Sequence, residues 1–335
     1  MHHRKLVRGL VGVLTITCAA LAYHAAGKDT VKSMPDMVCD AYSGLPQGFG
    51  QMPQAGMLRI PGGRVTLGST HGYRDELPAG EAVSVATFWM DRTEVTNAQF
   101  AAFVDATGYV TDAEREGAGA VFYRAAAEQG KDTPADWWTW KEGASWKRPE
   151  GIGSTATAAA NEPVVLVTQA DALAYARWLG RDLPTDAEWE YAARGGGAAE
   201  LVDREPRDPK GRPVANYWQG IFPDINTKED GFAALAPVGC YAPNGYGAMD
   251  MIGNVWELTR DRYTGPHQPH GNGNPEASAA AAGHRSNRDS IVIKGGSFLC
   301  AASYCVRYRA AARHPQEANL PTSHVGFRTV LREPG

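Results

Sequence analysis

The chain has 335 residues, 33 basic against 37 acidic side chains, a formal net charge of −4 and 43% apolar residues. That is enough apolar content for a buried core, in one large domain or two smaller ones, and no run of Lys or Arg is long enough to follow a phosphate backbone, which argues against nucleic acid as a partner. The 38 Gly, 21 Pro and 9 Trp argue against a helical bundle and predict a loop-rich α+β fold with many tight turns and much aromatic packing.

At the start of the chain, His2, His3, Arg4, Lys5 and Arg8 precede an apolar run from Gly9 to Ala22. This run is shorter than the about 20 residues that span a bilayer, yet long enough for a signal-peptide core. Residues 1–26 are therefore read as a signal peptide or an N-terminal membrane anchor, with a small-x-small cleavage site at Ala20-Leu21-Ala22. Thr17 replaces the small residue that lipidation of Cys18 favours. Both readings export the folded domain, leaving it free in the periplasm or tethered to the inner membrane. Residues 27–56 are polar, rich in Gly and Pro and without an apolar period, and read as a linker or loosely ordered arm. A domain is assigned to residues 57–335.

Within it, Met57 to Gly68 predicts two short strands around a Gly turn, and Val83 to Met90 a further strand. Thr96-Asn97 predicts the cap of a helix that places Phe100, Phe103 and Val104 on one face and ends at Gly108. A second helix is predicted from Thr168 to Gly180, with Ala172, Tyr175, Ala176 and Leu179 on one side. A third starts at a capping box of Thr185 and Glu188 and stops at Gly195-Gly196-Gly197. Gly271 to Gly283 reads as an exposed insertion loop, and Ile291 to Ile293 as a strand leading into Gly295-Gly296-Ser297. If Cys18 is removed, Cys39, Cys240, Cys300 and Cys305 remain, and their three connectivities cannot be told apart from sequence. Only Cys300 and Cys305 are close enough in sequence to share a local site.

The segment Lys294-Gly295-Gly296-Ser297-Phe298-Leu299-Cys300-Ala301-Ala302-Ser303-Tyr304-Cys305, continuing as Val306-Arg307-Tyr308-Arg309 and closing with Gly326-Phe327-Arg328, resembles the formylglycine-generating, or sulfatase-modifying-factor, family. So do Met90-Asp91 with Glu94-Val95-Thr96-Asn97, Leu183-Pro184-Thr185 with Glu188-Trp189-Glu190-Tyr191, Asn244-Gly245-Tyr246-Gly247 and Gly253-Asn254-Val255-Trp256-Glu257. The similarity runs from about Met57 to Arg332. It implies a single loop-rich domain with a C-type-lectin-like core. It also implies an oxidase that uses copper(I) and dioxygen to turn a cysteine in a Cys-x-Pro-x-Arg segment of an unfolded sulfatase into Cα-formylglycine.

By that resemblance Cys300 and Cys305 are the copper ligands, in keeping with the preference of a soft monovalent ion for thiolates. Ser297, Trp256 and His324 fall near the oxygen-binding pocket, His324 replacing an Asn. Glu94 matches an acid that holds the substrate arginine by bidentate hydrogen bonding. Its acidic companion aligns with Ala118, while nearby Glu116 reads as a solvated carboxylate. Two structural calcium sites are implied. One takes side-chain oxygens from Asn216 and Asp230 and carbonyls from Tyr217 and Phe232; the other takes Asp250 and Glu257 with carbonyls from Gly253 and Val255. The family's structural disulfides are missing in matched pairs, Ala176 with Thr329 and Ala193 with Ala310. The alternatives are a non-catalytic envelope protein that binds partners, and an oxidase for another substrate such as a pigment or siderophore precursor. The thiol pair favours an oxidase; Ala118 and His324 weaken the match to a Cys-x-Pro-x-Arg substrate.

Overall fold

The computed structural model describes residues 39, 41–70, 72–77, 80–122, 137–197, 205–266 and 290–333; the targeting segment 1–26 and the loop Gly271–Gly283 lie outside them. Helix α1 (Asn97–Thr107), α2 (Asp112–Glu116), α3 (Gln169–Trp178) and α4 (Asp186–Arg194) start behind Thr96, Thr111, Thr168 and Thr185. Each threonine hydroxyl accepts from the main-chain N–H three residues on, and Gln99, Glu114, Asp171 and Glu188 return a bond to the threonine N–H. Two of the orphan donors at each helix start are thereby satisfied. α1, α3 and α4 are the three helices predicted; α2, only five residues long, is too short to show an apolar period.

The strands are short. β1 (Met57–Ile60) and β2 (Gly63–Val65) flank a turn but join different sheets, β1 pairing with β4 (Phe88–Asp91) and β2 with β3 (Val83–Val85). The single strand expected from Val83 to Met90 is thus two. β5 (Ala118–Phe122) and β6 (Trp138–Glu142) form one hairpin, β7 (Gly220–Ile221) and β8 (Ile225–Asn226) another. A four-stranded sheet has the order β11 (Arg313–Glu317), β10 (Ser290–Lys294), β9 (Trp256–Arg262), β12 (Val325–Gly326). The last strand, β13 (Val330–Arg332), pairs with β4, so early and late segments close on one strand.

The core lies between α1, α3 and this sheet. Phe100 stacks on Tyr175 at 5.9 Å, and Phe327 meets Tyr175 edge-on at 5.4 Å, a geometry aromatic pairs prefer. Several charged side chains are buried against an opposite charge. Arg181 lies 2.8 Å from Asp91, and Lys294 reaches Asp186 at 2.9 Å and Glu190 at 3.0 Å.

Residues 41–56 differ from the loosely ordered arm expected of them. Thr96 Oγ1 donates to Gly44 O at 2.6 Å, while Arg181 donates to Pro53 O and Ala55 O. Cys39 is cross-linked to Cys240, 201 residues away in sequence. These residues belong to the domain, because a buried arginine needs carbonyl acceptors that the segment supplies. Among the described residues no helix is long and apolar enough to cross a membrane.

Candidate active site

Every element of the four-stranded sheet brings a residue to one cavity. β9 opens on Trp256; β10 ends at Lys294 and passes through Gly295 and Gly296 to Ser297; β11 carries His314 and Gln316; Thr322 and His324 precede β12. Gly295 and Gly296 are left-handed (φ 90° and 78°), and a Cβ on Gly296 would lie 2.7 Å from Arg307 O. Only glycine accommodates both conditions. Beyond them the chain turns back on itself: Cys300 N donates to Ser297 O at 2.9 Å and Cys305 N to Ala301 O at 3.1 Å.

The turn sets Cys300 Sγ 2.9 Å from Cys305 Sγ. The separation exceeds the about 2.05 Å of a disulfide bond, and both cysteines are free. Cys300 is 1% exposed; Cys305 is half-buried. Burial, reinforced by Cys305 beside it, pushes the Cys300 thiol well above its ordinary pKa. The hydrogen bond donated by Cys300 lowers that of Cys305, and the nearby Arg307 guanidinium lowers it further. Of the two protons, that of Cys305 is therefore the easier to remove and that of Cys300 the harder.

The cavity has a volume of about 340 Å³. Its walls carry the aromatic rings of Phe122, Trp137, Trp138, Phe222, Trp256 and Tyr304. Ser297 is fully buried and its Oγ accepts from Leu299 N. Trp256 N donates to His324 O at 2.9 Å. The His324 ring lies 4.6 Å from Trp138, and burial, with a smaller effect of His314, lowers its pKa to about 3. His314, at the rim with one edge in solvent, is also held below its ordinary value, by crowding and then by Arg307. Its Nδ1 lies 2.8 Å from Pro315 O. A carbonyl can only accept, so the proton sits on Nδ1 and the lone pair on Nε2. Both imidazoles are neutral near pH 7. Cys300, Cys305, Ser297, Trp256 and His324 are thus brought together, and Trp137, Tyr304, His314 and Thr322 join them without any local sequence signal that singles them out.

Glu94 is elsewhere. It is fully buried, does not line the cavity, and sits with Asp250, Glu257, Asn254 and Arg328, so it has no access to a substrate arginine. Glu116 is exposed and Ala118 buried, leaving no acidic pair there. In the Glu94 cluster Glu257 accepts from Arg328 at 2.6 and 2.7 Å and from Trp189 Nε1 at 2.7 Å. Asp250 accepts from Gly239 N at 2.5 Å. One guanidinium faces three carboxylates, and Glu94 Oε2 has no hydrogen-bond partner among the described residues. Burial, with mutual repulsion, raises Glu94 well above its ordinary pKa, and burial raises Asp250 to about 6.

The four residues of the other expected calcium site do gather. The Asp230 carboxylate accepts from Tyr217 N at 3.1 Å and Phe232 N at 3.0 Å, and Asn216 adjoins Tyr217. The Gln219 amide nitrogen donates to both Tyr217 O and Asp230 Oδ2, so these two oxygens converge on one neutral donor. Among the described residues no three His, Cys, Asp or Glu side chains are arranged to hold a metal ion by themselves.

Residues 42–333 match the Sulfatase-modifying factor enzyme 1-like domain. A Streptomyces coelicolor protein named Formylglycine-generating enzyme is 44% identical over 291 residues, covering 82% of this chain and 88% of the relative. One of the same name from Mycobacterium tuberculosis is 43% identical over 294 residues, covering 82% and 97%. The solved structure of PvdO from Pseudomonas aeruginosa superposes with a TM-score of 0.55 at 20% identity over 83% of this chain and 94% of that one, a likeness of fold: α+β, loop-rich and C-type-lectin-like. With the domain match over residues 42–333 and relatives above 40% identity across most of both chains, the chain belongs to the sulfatase-modifying factor family.

Proposed function

We propose that this protein converts a cysteine of an unfolded sulfatase-type polypeptide to Cα-formylglycine, as the names of its relatives suggest, with copper(I) as cofactor and dioxygen as oxidant. The observation that carries the reading is the unoxidised pair Cys300 and Cys305 at the edge of a large aromatic cavity. Copper(I) is soft and favours thiolates. Cys305 offers one readily, and Cys300 yields its proton when the metal takes its place, since a coordinating thiol is deprotonated outright. Held there, the ion would supply oxygen activation and a seat for the substrate thiolate.

The chain's own residues do the rest. The aromatic walls exclude water and accept the apolar part of an extended segment. Neutral His314 and His324 add no charge beside the thiolate. Conversion of the cysteine side chain to an aldehyde releases its sulfur as sulfide and withdraws two electrons; two external thiols, joined as a disulfide, supply the other two that reduce dioxygen to water. The cavity accepts only a substrate that is still unfolded, which suits the export implied by residues 1–26, whether as a free periplasmic protein or one tethered by that segment.

Calcium is proposed at two places. Asn216, Tyr217, Asp230 and Phe232 fit a mixed carbonyl and carboxylate site. At the second, the excess acid fits a cation, but Arg328 already occupies both oxygens of Glu257, so Glu94 and Asp250 are assigned the side-chain contacts, with the Gly253 and Val255 carbonyls. The reaction is tested by incubating the reduced protein with copper(I), oxygen, an excess of external thiol and a Cys-x-Pro-x-Arg peptide and weighing the product. An aldehyde-bearing peptide supports the reading; an unmodified peptide after many turnovers' worth of time rejects it.

A further inference from the structure

Beside the thiol cavity lies a second one, with a volume of about 290 Å³. Three links place it against Cys305. His314 lines both cavities. Tyr73, in the wall of the second, accepts at its hydroxyl from Val306 N at 3.2 Å, so it touches the residue that follows Cys305. Arg307, two residues beyond Cys305, holds its guanidinium 4.2 Å from the centre of the Tyr73 ring. Tyr73, Arg74 and His314 are exposed, which gives the second cavity its own face to solvent.

Its charges do not cancel. Arg307 donates to both oxygens of Asp75, at 3.1 and 3.2 Å, and to Glu76 at 2.9 Å, while Arg309 also pairs with Glu76. Two acids are thus matched by two guanidiniums. Arg74 is left over: it lines the cavity, and its guanidinium has no ion pair or hydrogen bond among the described residues. Tyr263 and Pro266 complete an apolar wall. The space therefore suits a small molecule with a short apolar body and a negative end. The same positive charge turns away a substrate arginine.

We propose that this second cavity docks the external reductant, a small thiol that carries a carboxylate, with Arg74 holding the carboxylate and His314 marking the side on which the thiol meets the Cys305 loop. This rests on the proposed function and names its second substrate. An extended peptide that fills the first cavity leaves the reductant needing a separate way in, and the second cavity supplies one. Each turnover consumes two thiols, one docked and one joining it from solvent. Two S–H bonds break and one S–S bond forms. The two protons and two electrons released pass to dioxygen, and with the two electrons withdrawn from the substrate cysteine they make up the four that it takes up. A cavity of this size excludes a folded redox protein.

The test has a binding arm and a kinetic arm. In copper-free protein S-methylglutathione, which has no free thiol and so neither binds metal as a thiolate nor exchanges with the cysteine pair, should bind wild type and bind Arg74→Glu roughly 3- to 10-fold more weakly, with Arg74→Lys in between. In turnover of a Cys-x-Pro-x-Arg peptide, kcat/KM for glutathione is divided by that for neutral mercaptoethanol, and the intrinsic reactivity of each thiol cancels when wild type is compared with a variant. The ratio should fall by a similar factor in Arg74→Glu and be largely kept in Arg74→Lys; with cationic cysteamine in place of glutathione it should rise in Arg74→Glu. Equal binding of S-methylglutathione to wild type and Arg74→Glu, or ratios that do not change, overturns the docking site and leaves the proposed reaction standing. Turnover supported by a reduced thioredoxin-type protein and by none of the three small thiols overturns it as well. No aldehyde with any reductant overturns the proposed reaction, and the reductant role of the cavity with it.

Discussion

Cys300 Sγ lies 2.9 Å from Cys305 Sγ, and the upward shift of the Cys300 thiol against the downward shift of Cys305 makes Cys300 the donor between them, Cys300 being 1% exposed and Cys305 half-buried. The two thiols share a loop but not an environment. Burial holds the proton on one, while that proton and Arg307 favour the thiolate on the other.

The asymmetry predicts the order of reaction with an alkylating agent. Near neutral pH Cys305 should be modified first and Cys300 slowly or not at all, because the thiolate is the nucleophile. Cys300→Ala should slow alkylation of Cys305 by removing its donor. Peptide mapping after a short exposure to iodoacetamide reads both; equal labelling of the two cysteines would contradict the assigned proton positions.

The acid cluster predicts a pH-dependent calcium effect. The folded pKa of Asp250 is raised from 3.8 to about 6 and that of Glu94 is raised as well. As pH rises through this window the unfolded chain releases protons that the native state retains, so the metal-free protein loses stability. A cation that replaces those protons restores it, by about 2.7 kcal/mol at a hundredfold excess over Kd. The melting temperature should therefore rise with calcium more at about pH 7.5 than at about pH 5. Glu94→Gln should stabilise the chelator-treated protein and blunt the calcium response. A calcium response that is independent of pH and of Glu94 would remove the ion from this cluster.

The Cys39–Cys240 cross-link closes a loop of 201 residues and anchors a segment that supplies carbonyls to Arg181. Cys39→Ser with Cys240→Ser should cost about 2–4 kcal/mol, seen as a lower denaturation midpoint, and a reductant should do the same to wild type. A fusion of residues 1–60 to a reporter active only after export checks the compartment in which the bond can form. An inactive reporter, or a midpoint unmoved by reduction, would contradict an exported domain stabilised by this bond.

The helices were legible because their signals are local. Thr96, Thr168 and Thr185 each meet a partner three residues on, and a glycine follows α1 and α4. The thiol pair was legible through its flanking motif. What escaped was whatever depends on distant segments. β1 and β2 adjoin in sequence yet pair with different strands, and Pro53 and Ala55 look like linker until Arg181, more than a hundred residues away, is seen to need them. Trp137, Thr322 and His314 carry no motif; only the sheet order brings them to Cys300. Glu94 lies in a recognisable motif, but its burial beneath Arg328 is a property of the folded core.

Titration of the reduced protein with copper(I), against a chromophoric competitor, tests the central claim most directly. Wild type should take up one equivalent tightly, and Cys300→Ser and Cys305→Ser should each abolish tight binding, because one thiolate cannot retain the ion alone. Equal affinity in wild type and both variants would contradict the account.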